Sequence, residues 1–258
     1  MVLGVLVAIP AAFATWLRVL PPSSDELAKV ASFIPYGLVM WVPAMVLLGT
    51  ATIRSWRHHR PGRVVLGVLS LLAAAGLTAA AAWEAPAFIP DRRPVVTPPL
   101  TVISLNVAGT ADPTAVTQAA AGADVVVFVE ASEGWRLSLP ERFYQWFPHQ
   151  APPMRTMDVG SVIFSRYPLR AGDLPPSNSF QLSAAIVDTP QLGPVRVAAV
   201  HPCNPYCGDG LWMREAAHLR SWLAGRDLTI PTVVAGDFNS VDDHSTMRDL
   251  YADGFRSA

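Results

Sequence analysis

Three long apolar runs fill the first part of the chain, roughly Val2–Leu20, Ile34–Ile53 and Val64–Trp83. Each is long enough to cross hydrocarbon as a helix, which takes about 20 apolar residues. None shows a polar face, which argues against three buried helices of a soluble protein. Pro10 and Pro43 lie inside two of the runs, and membrane helices tolerate this when neighbours satisfy the freed carbonyls. The first run lacks the basic start of a cleaved signal peptide. From Leu100 onward the pattern shortens to β-type runs: LTVISLNV, ADVVVFVE, SVIFS, SAAIVDT, VRVAAVH and TVVAGDF. The continuous apolar run ADVVVFVE predicts a strand buried on both faces. Two helix-like stretches lie among them, DPTAVTQAAAGA and LWMREAAHLRSWLAG, and the second spaces Trp212, Ala216, Leu219 and Leu223 for one apolar face. Strands outnumber helices, and several are placed to pair as hairpins, so the expected class is a mixed α/β layered domain.

Charge adds an orientation to this pattern. The loop RSWRHHRPGR after the second run carries Arg54, Arg57, Arg60 and Arg63, and the positive-inside rule puts it in the cytoplasm. The N-terminus is then also cytoplasmic, and everything after the third span is outside. His58 and His59 read as part of that basic loop, not as a metal site. The expected organisation is a three-span membrane region over 1–84, a stiff Pro-rich linker over 85–99 and a globular domain over 100–258. Before Pro98 there are eight basic and four acidic residues, and from Pro98 onward eleven Arg face sixteen Asp and Glu. An acidic globular part argues against a protein that grips long duplex nucleic acid, because that task needs clustered cations.

The chemistry-bearing residues collect at strand ends. Asn106 ends the first β-type run, Glu130 the second, His201 ends VRVAAVH, and Asp237 with Asn239 ends TVVAGDFN. Side chains two apart on a strand share a face, so Asp237 and Asn239 are expected to point together with Phe238 behind them. Two carboxylates and two amides suit Mg²⁺, which takes few protein oxygens and keeps waters. A histidine beside them suits a protonated donor to phosphoryl oxygen. Taken singly each has a plainer reading: turn residues for Asn106 and Asn239, a solvated strand end for Glu130, a loop histidine for His201. Their joint occurrence at four strand ends favours a site.

In this order, ISLNV, VVFVEAS, SVIFSRYPL, AAVHP and VVAGDFNS resemble the endonuclease/exonuclease/phosphatase superfamily, over Leu100 to Ala258. The resemblance implies a four-layered α/β sandwich of two packed mixed sheets flanked by helices. It further implies that Asn106 and Glu130 position and bind the metal, Mg²⁺ or else Mn²⁺, and that His201 contacts the scissile phosphate. Asp237 would orient or activate the attacking water, and Asn239 would hold the phosphate. Arg166 of SRYPL is expected to be a salt-bridging surface residue, with phosphate contact as the second reading. The family closes with two more strands and a Ser-Asp-His segment, so C-terminal strands are expected to be missing from a chain ending GFRSA. The DDHS of Asp242 to Ser245 follows GDFN too soon to be that segment, so Asp243 and His244 are expected in a polar loop or helix cap.

Three spans followed by this domain resemble the membrane-anchored, teicoplanin-resistance (VanJ-like) branch. That resemblance implies an extracytoplasmic phosphoesterase acting on a lipid-linked phosphate or headgroup of the cell envelope. The alternatives are an extracytoplasmic nuclease and a non-catalytic membrane-binding module on the same scaffold. Cys203 and Cys207 frame CNPYC just after His201 and are too few for a structural zinc site. Outside the membrane they suit a small-loop disulfide, with two free thiols as the other reading.

Overall fold

The structure, a computed structural model, describes residues 2–89, 99–151, 160–173 and 179–257. The chain folds as two compact units, Met1–Pro94 with Val241–Ala258, and Val95–Ser240.

The first unit begins with α1 (Val2–Val19), α2 (Asp25–Ala31), α3 (Ile34–Val39), α4 (Trp41–Arg57) and α5 (Arg63–Phe88). α3 and α4 follow one another across Met40, so three helical stretches are long and apolar enough to cross a membrane: Val2–Val19, Ile34–Arg57 and Arg63–Phe88. The third runs past Trp83 and through Pro86, so the first residues expected in the linker are helical. Pro86 lies in the last turn, where its missing N–H removes one bond near the helix end. The rest of the expected linker, including Arg92 and Arg93, falls mostly outside the described residues. Helix α2 was not expected in the loop after the first span. Ser24 caps it by accepting from Leu27 N at 3.3 Å, and Asp25 and Glu26 stand in its first turn, where acidic residues suit the helix dipole.

The helices meet through small residues. Ala11, Ala14, Ala44 and Ala73 are buried, whereas Leu3, Val46 and Leu71 are exposed. Gly76 lets the Trp41 indole lie on the α5 backbone, since a Cβ there would stand 2.4 Å from a ring atom. The indole N–H donates to Thr15 Oγ1 at 2.9 Å. This unit also holds α10 (Ser245–Ala252) and the turn before it. Asp243 pairs with Arg18 Nε at 2.5 Å. His244 occupies the N-cap position of α10 without a capping bond. Its Nδ1 accepts from Val241 N at 3.1 Å, and Nε2 lies 3.4 Å from Ser32 Oγ.

The second unit contains β1 (Val102–Asn106), α6 (Pro113–Ala120), β2 (Val125–Ala131), α7 (Glu133–Leu137), α8 (Glu141–Trp146), β3 (His149–Ala151), β4 (Gly160–Ser165), β5 (Leu169–Ala171), β6 (Ser183–Thr189), β7 (Gly193–Val200), α9 (Leu211–Ala224) and β8 (Thr232–Gly236). They form two four-stranded mixed sheets, ordered β1-β2-β4-β3 and β5-β6-β7-β8. Each has one parallel pair, β1 with β2 and β7 with β8, and antiparallel pairs elsewhere. Strand β2 is buried on both faces, as its unbroken apolar run predicts. Val125, Val127 and Val129 pack between the sheets with Ile163, Ala185, Val187, Val197 and Ala199. Val126 and Phe128 face the other way, into a layer with Val116 of α6, Trp135 of α7 and Phe143 of α8. Phe128 meets Trp135 edge-on at 5.1 Å, a favoured aromatic geometry. The architecture is thus the expected α/β sandwich of two packed mixed sheets flanked by helices.

Arg166 follows neither of its expected roles. It donates from Nε to Ala123 O and from an Nη to Ala121 O at 2.5 Å, and it lies over the Phe147 ring at 5.3 Å. It therefore satisfies two carbonyls in the turn that follows α6, those of the C-cap Ala121 and of Ala123.

Candidate active site

The C-terminal ends of the two parallel pairs supply the site. Asn106 closes β1, Glu130 lies near the end of β2, His201 follows β7 and Asp237 follows β8. Asn106 Nδ2 donates to Glu130 Oε1 at 2.8 Å and to Asp237 Oδ2 at 3.1 Å. One amide thus bridges carboxylates delivered by the two different sheets. Asn106 Oδ1 accepts from Ala108 N at 2.9 Å, which fixes which way the amide faces. His201 Nε2 lies 3.5 Å from Glu130 Oε1. The imidazole is almost fully buried, while the Glu130 side chain is 35% exposed, so a ligand reaches the carboxylate before the ring.

Local backbone features aim these groups. Glu130 has φ 56° at a register shift in the β2–β4 ladder between Phe128 and Ala131. Such a bulge turns one side chain out of the strand's alternation. Gly236 has φ 145°, and a Cβ there would stand 1.9 Å from Val200 O. Only glycine allows the end of β8 to lie this close to β7, which brings Asp237 up beside the strand that leads into His201.

Asn239 differs from its expected placement. β8 ends at Gly236, so strand alternation does not reach Asp237 and Asn239. Asp237 Oδ1 instead accepts from Asn239 N at 2.9 Å, a turn closed by an aspartate side chain, with Asn239 at φ 49°. The Asn239 amide donates to Pro202 O at 2.8 Å, one residue past His201. Its own carbonyl accepts from Trp212 Nε1 at 3.1 Å. Asn239 therefore ties the Asp237 turn to the His201 loop, while its side-chain N–H is engaged away from the two carboxylates.

Cys203 and Cys207 form a disulfide in the loop after His201. Phe180 stacks on the His201 ring, with centroids 4.4 Å apart and planes 19° from parallel. Sequence reading passed over Phe180 and also Glu215, a buried carboxylate on the apolar face of α9. The available signal was an acidic residue between Trp212 and Leu219 at core spacing.

Among the described residues no three His, Cys, Asp or Glu side chains cluster as a closed metal site. Glu130 and Asp237 nonetheless offer two carboxylates that share a single amide donor, which leaves oxygen lone pairs on both. An open, all-oxygen pair fits a hard cation that keeps its waters.

The match to known proteins follows this geometry. The model of the Endonuclease/Exonuclease/phosphatase family matches residues 103–257, and the chain belongs to that family. Its members act on phosphate esters as phosphatases or nucleases and are generally dependent on divalent metals. No curated protein matches the chain. Among solved structures it is similar to D. rerio TDP2 humanized by 14 mutations, with 16% identity over 62% of this chain and 72% of that one and a TM-score of 0.45. It is similar to a mannosyl-6-phosphatase of Bacteroides thetaiotaomicron at 16% identity, covering 60% and 71% with a TM-score of 0.44. The 3′ phosphatase NExo from Neisseria, solved with a product DNA hairpin, shows 17% identity, coverages of 54% and 58%, and a TM-score of 0.37.

Proposed function

We propose that the protein is a membrane-anchored, Mg²⁺-dependent phosphoesterase that acts outside the cytoplasm on a lipid-linked phosphate or lipid headgroup of the cell envelope. The observation that carries the reading is the meeting of Glu130 and Asp237 on one Asn106 amide, with His201 beside them, at the ends of strands from both sheets. Glu130 and Asp237 hold the cation, and Asn106 orients both carboxylates through its N–H groups. The ion, Mg²⁺ or else Mn²⁺, supplies positive charge to the phosphoryl oxygens. His201 donates a proton from Nε2 to a phosphoryl oxygen. Asp237 orients the attacking water, and Asn239 holds its turn against the His201 loop.

Three apolar helices and an acidic second part favour a substrate at the membrane over long duplex nucleic acid. The orientation rests on the four arginines between Arg54 and Arg63, which belong in the cytoplasm. The decisive assay offers the full-length protein, in detergent with Mg²⁺, a polyprenyl pyrophosphate and supercoiled plasmid DNA. Phosphate release from the lipid is expected. Plasmid nicking without lipid hydrolysis would replace this reading with a nuclease, and neither activity would favour a binding module. Alkaline phosphatase fusions after Arg60 and after Thr97 test the topology: only the second should be active.

A further inference from the structure

Helix α9 carries a carboxylate on its buried face. Glu215 lies between Trp212 and Leu219 at helical spacing and is only 3% exposed. A carboxylate so buried is costly unless its oxygens are well hydrogen-bonded. Oε1 accepts from Ser179 N at 2.7 Å and from Ser179 Oγ at 2.6 Å, and Oε2 accepts from Cys203 N at 2.7 Å. Ser179 adjoins Phe180, whose ring stacks on His201, and Cys203 lies two residues after His201. A single carboxylate therefore grips both the backbone that carries the imidazole and the segment that covers its face.

We infer that Glu215 is a positioning residue that clamps His201 between its own loop and the Phe180 ring. This deepens the proposed function and rests on it, since it assumes that His201 serves the phosphate ester. Glu215 touches no reacting atom. The three donors explain why the position takes a carboxylate and not an amide. Glutamine has one acceptor oxygen, so it keeps the Ser179 side of the clamp only by turning an N–H₂ toward Cys203 N–H. Glu215→Gln thus removes one arm at nearly constant volume.

The test compares the full-length protein in detergent with Glu215→Gln, Glu215→Ala and Phe180→Leu by two readouts. In histidine-labelled protein, with His201 assigned from His201→Gln, the stacked Phe180 ring shifts the His201 ring-proton resonances upfield. That shift should vanish in Phe180→Leu and Glu215→Ala and shrink in Glu215→Gln. For a chromogenic phosphodiester with Mg²⁺, Glu215→Gln should lower kcat by about 10- to 100-fold and leave KM within about twofold, the pattern of a misplaced catalytic group. Wild-type His201 resonances in Glu215→Gln would overturn the clamp, whatever happened to kcat. So would an unchanged kcat beside a lost shift. Should Glu215→Ala fail to fold by circular dichroism, the two variants that nearly keep volume carry the test. A wild type that cleaves neither the phosphodiester nor the polyprenyl pyrophosphate but loses the shift in Glu215→Gln would support the clamp and overturn the functional reading instead.

Discussion

The two units of this protein differ in what they leave exposed. In the helical unit large apolar residues stand outside as well as inside: Leu38 and Leu48 are buried together with Ala11, Ala44 and Ala73, whereas Leu71 is 71% exposed. In the sandwich unit Phe128, Phe143, Phe164 and Ile163 are fully buried. Such a difference is what two different solvents produce. In water, burying large apolar side chains drives folding, at roughly 25 cal/mol per Å². The helical unit has three helices long and apolar enough to cross a membrane, and between helices in lipid that drive is absent and close backbone approach through small residues takes its place. Gly76 against Trp41 and Gly37 against Ala14 show that approach. Hydroxyls bond between the helices where sheets elsewhere use ladders: Thr15 with Trp41, and Thr52 with Ser70 at 2.8 Å.

The largest expected effect separates function from either kind of packing. Glu130→Ala or Asp237→Ala should abolish turnover, a loss on the order of 10³-fold or more, as for other preorganised electrostatic groups. Neither should unfold the sandwich, because the Asn106 amide that loses a partner is exposed to water and Asp237→Ala otherwise frees only the Asn239 N–H of one turn, beyond the end of β8. Melting curves with and without Mg²⁺ check this. Wild type should gain stability with the ion through linkage, and both variants should lose that gain. Retention of the full Mg²⁺ gain in both variants would rule them out as the metal site.

Next in size is a direct contrast between the units. Phe128→Ala opens the sandwich core and should cost about 3–5 kcal/mol. Leu71→Ala, on an outward face of α5, should fall within about 0.5 kcal/mol. Guanidinium titrations followed by near-ultraviolet circular dichroism in detergent measure both, and a large Leu71→Ala effect would end the contrast between exposed and buried apolar residues. The reverse substitution sharpens it: Gly76→Leu drives a side chain into the Trp41 ring, and overpacking of this kind costs about 1–3 kcal/mol. Retention of wild-type heat stability by Gly76→Leu would mean that the close contact is dispensable.

The smallest effect is a pH dependence in the segment around α10. Burial pushes the His244 imidazole below its ordinary value, outweighing the Ala28 backbone bond and the nearby Asp243 carboxylate. The unfolded chain then takes up this proton first, so the contribution of neutral His244 is fully present above the unfolded value of about 6.5 and is lost as pH falls below it. Melting temperatures between pH 7.5 and 5 should fall in wild type and fall less steeply in His244→Gln. Parallel slopes would assign the acid sensitivity to other groups.

Periodicity and composition alone determined a good deal here. Apolar runs with no polar face marked the three helices long and apolar enough to cross a membrane, because a helix in lipid needs no polar side. The unbroken run of β2 announced a strand buried on two faces, and polar residues at strand ends brought Asn106, Glu130, His201 and Asp237 forward together. These are local signals, carried by neighbours in the chain. What only the tertiary structure decided involves partners far apart. Asn239 looks like a strand residue paired with Asp237, but β8 ends at Gly236, the Asp237 side chain closes a turn on Asn239 N, and the amide goes to Pro202. Arg166 looks like a surface cation, but the turn after α6 lies within its reach and supplies two carbonyls. Glu215 looks like a flaw in an apolar helix face until Ser179 and Cys203, 36 and 12 residues away, converge on it. Spacing along a chain reports which side of an element a residue occupies. Which donors meet an acceptor depends on where other elements end, and that is settled only when the sheets pack.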